Sequence, residues 1–132
     1  IPASSESGEK NLHYISMTGS EVFKFAVRVM NSATEAVLEK SGTPKEAIDL
    51  LVPHQANKRI IDAAIQRFGL SEDKVAINLD RYGNMSSASI PVALDEAVAE
   101  GRLKEGDNVV LVGFGGGLTW GAALLKWSTT PA

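Results

Sequence analysis

Apolar residues recur at three- and four-residue intervals between positions 22 and 37. Val22, Ala26, Val29, Met30, Ala33 and Val37 fall on one stripe, which predicts a helix with one buried face. Ser20 is its expected N-cap, and Gly42 stands where the chain needs a left-handed stop. Thr43-Pro44-Lys45-Glu46 reads as a second start: Thr43 can cap, Pro44 suits the first helical position and Glu46 can close a capping box. The period then changes. Asp49 to Pro53 is a short apolar run, the signature of a buried strand, and it leads into His54. Asn57 can cap a second long helix whose stripe is Ile60, Ile61, Ala64, Ile65 and Phe68, with Gly69 as its end. Val75, Ile77 and Leu79 alternate with Ala76 and Asn78, which predicts a strand. Asp80 to Asn84 turns out of it into a third helix, Ser86 to Ala99, where Ser86, Ala88, Ser89, Ala93 and Ala97 are small enough for close helix contact. Pro91 fits only its first turn or a kink, and Gly101 ends it. Val109 to Val112 reads as a fully buried strand, and Leu118 to Trp127 as another. At the other end, residues 1–11 are polar and irregular, and Leu12 to Met17 alternates weakly enough to suggest a first strand.

The expected order is β-α-β-α-β-α-β-β, with a small extra turn after the first helix. Strands alternating with helices indicate an α/β domain, here with a mixed five-stranded sheet covered by helices. The last two strands are joined too closely for a crossover and should be antiparallel. The division expected is a flexible lead-in at 1–11, one domain at 12–128 and a tail at 129–132.

The 132 residues suffice for one domain with a core, and 44% hydrophobic with 22% charged residues is ordinary for a globular chain. A net charge of −3 lacks the basic excess of a general nucleic-acid binder. With no cysteine, the chain has no disulfide, thiolate metal site or cysteine nucleophile of its own. No apolar run reaches the ~18 residues of a membrane span. No secretory signal pattern opens the chain, so a cytosolic or organelle-interior location is expected. A start at Ile1 fits a fragment, a processed chain or a truncated one.

Three segments carry candidate chemistry. His54 follows a strand, and ligands of open α/β sheets gather at strand carboxyl ends; the competing reading is a satisfied structural histidine, the reading given to His13. Asn84 follows a strand and a glycine, and read alone it is also a helix cap or a turn residue. Gly113-Phe114-Gly115-Gly116-Gly117-Leu118 supplies a loop of bare backbone. It is not a dinucleotide fingerprint: Leu118 stands where the third glycine belongs, and a strand follows instead of a helix. Its readings are a tight hairpin, room for close packing, or a backbone N–H aimed at an oxyanion. Two neutral donors and such a loop suit a developing negative charge on oxygen. Metal binding is not expected, since His54 has no carboxylate at ligand spacing. The serines after Asn84 lack a nucleophile elbow and read as capping and packing residues. Lys24 and Arg28 share a helix face, and Lys58, Arg59 and Arg67 outnumber Asp62 around the second helix. These are either solvated faces or a basic rim for an acidic partner or a phosphorylated cofactor.

Four blocks, in order, resemble β-ketoacyl-[acyl-carrier-protein] synthase III: Met17-Thr18-Gly19-Ser20-Glu21-Val22-Phe23-Lys24-Phe25-Ala26, Val52-Pro53-His54-Gln55-Ala56-Asn57, Tyr82-Gly83-Asn84-Met85-Ser86-Ser87-Ala88-Ser89-Ile90-Pro91 and Gly113 to Gly121. The resemblance runs from about Leu12 to Trp127. It implies the C-terminal half of the thiolase fold, without the half that bears the nucleophilic cysteine. It also implies a fatty-acid-initiating condensing enzyme, which joins acyl-CoA to malonyl-acyl carrier protein with loss of CO₂. His54 and Asn84 would then be the catalytic, enolate-stabilising pair, and the Gly116 N–H would serve an oxyanion hole. Gly19, Phe23, Ala56, Asn57 and Phe114 would line the substrate and coenzyme A tunnel. Lys24, Arg28, Lys58 and Arg59 would dock acyl carrier protein. Coenzyme A enters as a thioester substrate, with no permanent cofactor and no metal. The expected partners are the missing half, acyl carrier protein, acyl-CoA and a second copy in a homodimer; neither nucleic acid nor membrane is expected. A bacterial cytoplasm or a plastid interior would be the location. The chain alone is expected to be inactive. The alternatives are a non-catalytic thiolase-like domain that binds itself or a carrier, and the matching half of a polyketide-type synthase. Related plant-type polyketide synthases usually carry proline where Gly116 stands, which favours the synthase III branch.

Overall fold

The computed structural model describes residues 3–14 and 17–129. The helices are α1 (Ser5–Glu9), α2 (Gly19–Ser41), α3 (Lys58–Phe68), α4 (Leu79–Tyr82) and α5 (Ser89–Ala99); the strands are β1 (Leu50–Pro53), β2 (Asn108–Gly115) and β3 (Thr119–Lys126). The sheet runs β1-β2-β3. β1 and β2 are parallel, with Leu50 opposite Val109 and Pro53 opposite Val112. β2 and β3 are antiparallel, from Asn108 opposite Lys126 to Gly115 opposite Thr119.

Strand alternation sorts the apolar side chains onto two faces. Leu51, Val110 and Val112 pack under α2 and α3 with Ala26, Met30, Ile61, Ala64 and Phe68. Leu50, Val52 and Val109 face the other way, toward Ala76 and the Ala93 and Ala97 of α5. Helices therefore cover both faces of β1, which is why β1 reads as an unbroken apolar run. β3 is the open edge of the sheet, and its Trp120 is 56% exposed.

Much of the expected layout is present. α2 ends at Gly42 and α3 at Gly69, Asn57 caps α3 through its side chain, and Pro91 sits in the first turn of α5. The last two strands are antiparallel, as expected. Several expectations need correction. The sheet has three strands among the described residues, where five were expected. The segment from Val75 makes one bridge to Leu51 and no more. After Ala76 N–H donates to Leu51 O at 2.8 Å, the Asn78 N–H is taken by the Gln55 side chain, and the chain coils into α4. A side chain thus replaces the next rung of the ladder. Of the expected first strand, Leu12 and His13 are turn, Tyr14 is a bend and Met17 has no regular structure, while Ile15 and Ser16 lie outside the described residues.

Thr18 rather than Ser20 is the N-cap of α2, and the Thr43-Pro44 signal yields only a short 3₁₀ turn at Lys45–Ala47 with no side-chain cap. Residues 5–9, within the lead-in read as irregular, form α1, capped by a reciprocal Ser4–Ser7 box. The third helix begins as a 3₁₀ turn at Ser86–Ala88, so Ser86 and Ala88 are exposed, whereas Ser89, Ala93 and Ala97 pack closely. In β2, Leu111 is only half-buried, packed against the margin of the cluster that holds Ala93 and Ala97.

Candidate active site

His54 is the first residue past β1. Its backbone N–H donates to Val112 O at 2.8 Å, which extends the parallel ladder, and its carbonyl accepts from the Ala56 N–H at 3.0 Å. The imidazole meets the Phe114 ring edge-on, with 5.4 Å between centroids. Phe114 in turn touches Phe25, and Phe25 touches Trp120 at 5.8 Å. Gly113 lets this strand pass close by: a Cβ there would lie 3.3 Å from Ile90 Cδ1 and 3.9 Å from His54 Cβ. Burial holds the His54 pKa below its ordinary value, so the ring is neutral at pH 7 and carries one N–H donor.

Asn84 is positioned by a bent backbone. Gly83 has φ 66° and ψ −157°, a conformation open essentially to glycine alone. Ser86, with φ 55°, is left-handed too. The Asn84 Oδ1 accepts from the Ser86 N–H at 2.9 Å, so the amide end of this side chain is the end presented to a ligand. The Met85 N–H donates to Ser89 Oγ at 3.1 Å, and Ser89 is wholly buried. These serines hold the turn.

Gly116 lies in the β2–β3 turn, where its carbonyl accepts from Thr119 Oγ1 at 3.1 Å. His54, Asn84, Phe114 and Gly116 line one cavity of about 910 Å³, floored by the small residues of β2 and β3. The end of β1, the turn after α4 and the β2–β3 turn therefore meet at one cavity.

The other predicted residues lie off this lining. Gly19 opens α2 and is exposed, and Ala56 is half-buried next to the wholly buried Gln55. Asn57 Oδ1 accepts from the Arg59 N–H at 2.9 Å as the cap of α3. Phe23 is half-buried, with the Arg59 guanidinium 5.0 Å above its ring. Lys24 pairs with Glu21 at 3.3 Å, Lys58 pairs with Asp62 and lies 3.9 Å from Glu72, and Arg28 is exposed. His13 contacts Ser7 Oγ at 3.0 Å, away from the cavity. Among the described residues no group of three or more His, Cys, Asp and Glu could hold a metal, and no helix is long and apolar enough to cross a membrane.

Residues 38–127 match the family described as 3-oxoacyl-[acyl-carrier-protein (ACP)] synthase III C terminal. The chain belongs to this family. Among its relatives, β-ketoacyl-[acyl-carrier-protein] synthase III of Symbiobacterium thermophilum is 63% identical over 127 residues, covering 96% of this chain and 38% of the relative. The chain thus spans well under half the length of the curated relatives it matches. The solved synthase III of Thermus thermophilus superposes with a TM-score of 0.85 at 63% identity, covering 87% of this chain and 36% of that one. The Pseudomonas aeruginosa enzyme gives 0.86 at 39% identity over 99% of this chain and 40% of its own. The priming β-ketosynthase of the R1128 polyketide pathway gives 0.79 at 38% identity, over 88% and 35%.

Sequence reasoning gave no role to three polar residues behind this synthase III C-terminal site: Gln55, Asn78 and Glu96. Gln55 was visible only as the residue after His54, and a buried glutamine has no periodic signature. Asn78 falls within the alternation that predicts a strand, and Glu96 carries no local motif.

Proposed function

We propose that this chain supplies the enolate-stabilising donors of a β-ketoacyl-[acyl-carrier-protein] synthase III, as the C-terminal half of its thiolase fold. The reaction is the decarboxylating Claisen condensation of acyl-CoA with malonyl-acyl carrier protein. The observation that carries the reading is the convergence of His54, Asn84 and Gly116 on one cavity from the end of β1, the turn after α4 and the β2–β3 turn.

The acyl group is held as a thioester on a cysteine outside this chain. The malonyl C–C bond breaks, CO₂ leaves, and the electron pair moves onto the thioester oxygen. The neutral His54 ring and the Asn84 amide each donate one N–H to that oxygen. The enolate carbon then attacks the acyl carbonyl, a C–C bond forms, and the cysteine thiolate departs. The Gly116 N–H serves the oxyanion of that second step. Fixed donors in a dry site contribute about 10²–10³ in rate each.

Gly19, Phe23, Ala56, Asn57 and Phe114 line the path of the thioester arm. Lys24, Arg28, Lys58 and Arg59 dock the acidic carrier. Exposed pairs such as Lys24–Glu21 are weak and exchange readily for a carrier's acidic groups. The complete protein is a homodimer of a bacterial cytoplasm or plastid interior. Coenzyme A enters as substrate, and no cofactor is permanently bound. The chain alone is inactive in condensation.

The test is CO₂ release from malonyl-carrier by the complete polypeptide. His54→Ala and Asn84→Ala should each lower kcat by about 10²–10³. Release at the parent rate in either variant would overturn the reading.

A further inference from the structure

Hydrogen bonds from the Met85 and Ser86 N–H groups close the turn that carries Asn84, but they do not anchor its entry through α4. α4 is a four-residue helix, and so short a helix has too few internal bonds to offset its ordering. Ser86 then puts the backbone in the left-handed region that residues other than glycine disfavour. Something outside the turn must fix it, because a donor that wanders loses most of its effect on a transition state.

Three donors from this segment meet on one carboxylate. Asn78 Nδ2 and Arg81 Nη2 each donate to Glu96 Oε2 at 2.7 Å, and Tyr82 Oη donates to Glu96 Oε1 at 2.9 Å. Asn78 starts α4 and Tyr82 ends it, so Glu96 grips both ends of the one-turn helix from α5. The Glu96 side chain is only 22% exposed. Asn78 Oδ1 has no hydrogen-bond partner among the described residues, so it is the Glu96 bond that sets the amide's orientation.

The clamp continues to the other catalytic loop. The Asn78 N–H donates to Gln55 Oε1 at 3.1 Å. Gln55 Nε2 donates to Pro53 O at 2.8 Å and Ala76 O at 3.1 Å. Gln55 is the neighbour of His54 and has no exposed surface. An unbroken run of hydrogen bonds thus joins the His54 loop, through Gln55, Asn78 and Glu96, to the residues that precede Asn84.

We infer that Gln55, Asn78 and Glu96 are positioning residues, and that Glu96 clamps α4 so that Asn84 stays in register with His54. The inference rests on the enolate reading above for its catalytic consequence and on geometry alone for its structural one.

The experiment uses three variants, Glu96→Ala, Glu96→Gln and Tyr82→Phe, and two readouts. The first is amide hydrogen exchange of the protein. Glu96→Ala should speed exchange at residues 81–86 by about tenfold or more, and leave Ile61 to Ile65 in α3 within about twofold. Glu96→Gln, which keeps one acceptor, should recover part of that protection, and Tyr82→Phe should give a rise of about threefold. The second readout is CO₂ release by the complete polypeptide, where Glu96→Ala should lower kcat about tenfold with KM within about twofold. Unchanged exchange at 81–86, or an equal rise in α3, would overturn the clamp. So would faster exchange with an unchanged kcat in an active enzyme. A parent that releases no CO₂ would sink the enolate reading alone, and the exchange ratio would still decide the clamp.

Discussion

The two loops that carry the proposed donors are built on opposite principles. His54 continues a parallel ladder, half-buried against Phe114, with the wholly buried Gln55 behind it. Asn84 is exposed, follows a one-turn helix and a positive-φ glycine, and depends on side chains from elsewhere. Backbone hydrogen bonding orients the first donor and side-chain hydrogen bonding the second. Two groups with the same proposed task therefore have different vulnerabilities: the first is hard to displace without unfolding β1, and the second can be loosened while the fold persists.

The strongest test of that contrast is Gln55→Met, which removes three hydrogen bonds from a dry site. It should destabilise the protein by about 2–4 kcal/mol in urea unfolding. A loss under about 1 kcal/mol would mean that the His54 side does not depend on its buried amide. Gly83→Ala comes next, because its Cβ must adopt a backbone conformation that L residues avoid; about 1–3 kcal/mol is expected, with hydrogen exchange rising at 83–86 and not at the end of β1. Exchange rising equally at both places would erase the distinction.

Asn57→Ala removes the α3 cap and should cost about 1 kcal/mol by thermal unfolding, without loosening the Asn84 turn.

The smallest effects are two titrations. Burial lowers the His54 pKa, so its contribution to stability is fully present above the ordinary histidine value of 6.5 and is lost as pH falls through the folded value. An NMR midpoint at or above 6.5 would contradict this. Glu96 is also held below its ordinary value, chiefly by the Asn78 hydrogen bond and further by Tyr82 and Arg81. Its contribution is therefore present above about 4.5 and lost as pH falls through the folded value. Glu100 and Arg102 line the same small cavity as Glu96 and pair with each other at 3.7 Å. Lowering pH should weaken the His54 side first and release the Asn84 turn only in more acidic solution, as read by exchange at 79–86.

The same contrast explains what was legible in the sequence. α2, α3 and β1 are read from Val22–Val37, Ile60–Phe68 and Leu50–Pro53 because burial against one partner imposes a period on the residues. The His54 end follows directly from β1. The expected third strand does not form because Val75–Leu79 alternates only locally, and alternation does not say whether a neighbour offers a ladder; of the expected first, the described residues Leu12 to Tyr14 are turn and bend. At Asn78 the neighbour offers the Gln55 amide instead. Asn84 and Gly116 stand out through glycine turns and family resemblance, and both line the cavity. Glu96 does not stand out, because its three partners lie 14 to 18 residues away and no local rule links them.

The parallel pairing of β1 with β2 has a kinetic consequence. Asp49 and Asn108, bonded at the start of that pairing, are 59 residues apart. Closing so long a loop is slow compared with forming α2 or α3, since its entropy is spent before any strand contact compensates. His54 and Gly116 reach the same cavity only after that closure, so the cavity is among the last features to mature as the chain folds. A refolding chain should regain helical signal well before it can hold a ligand there.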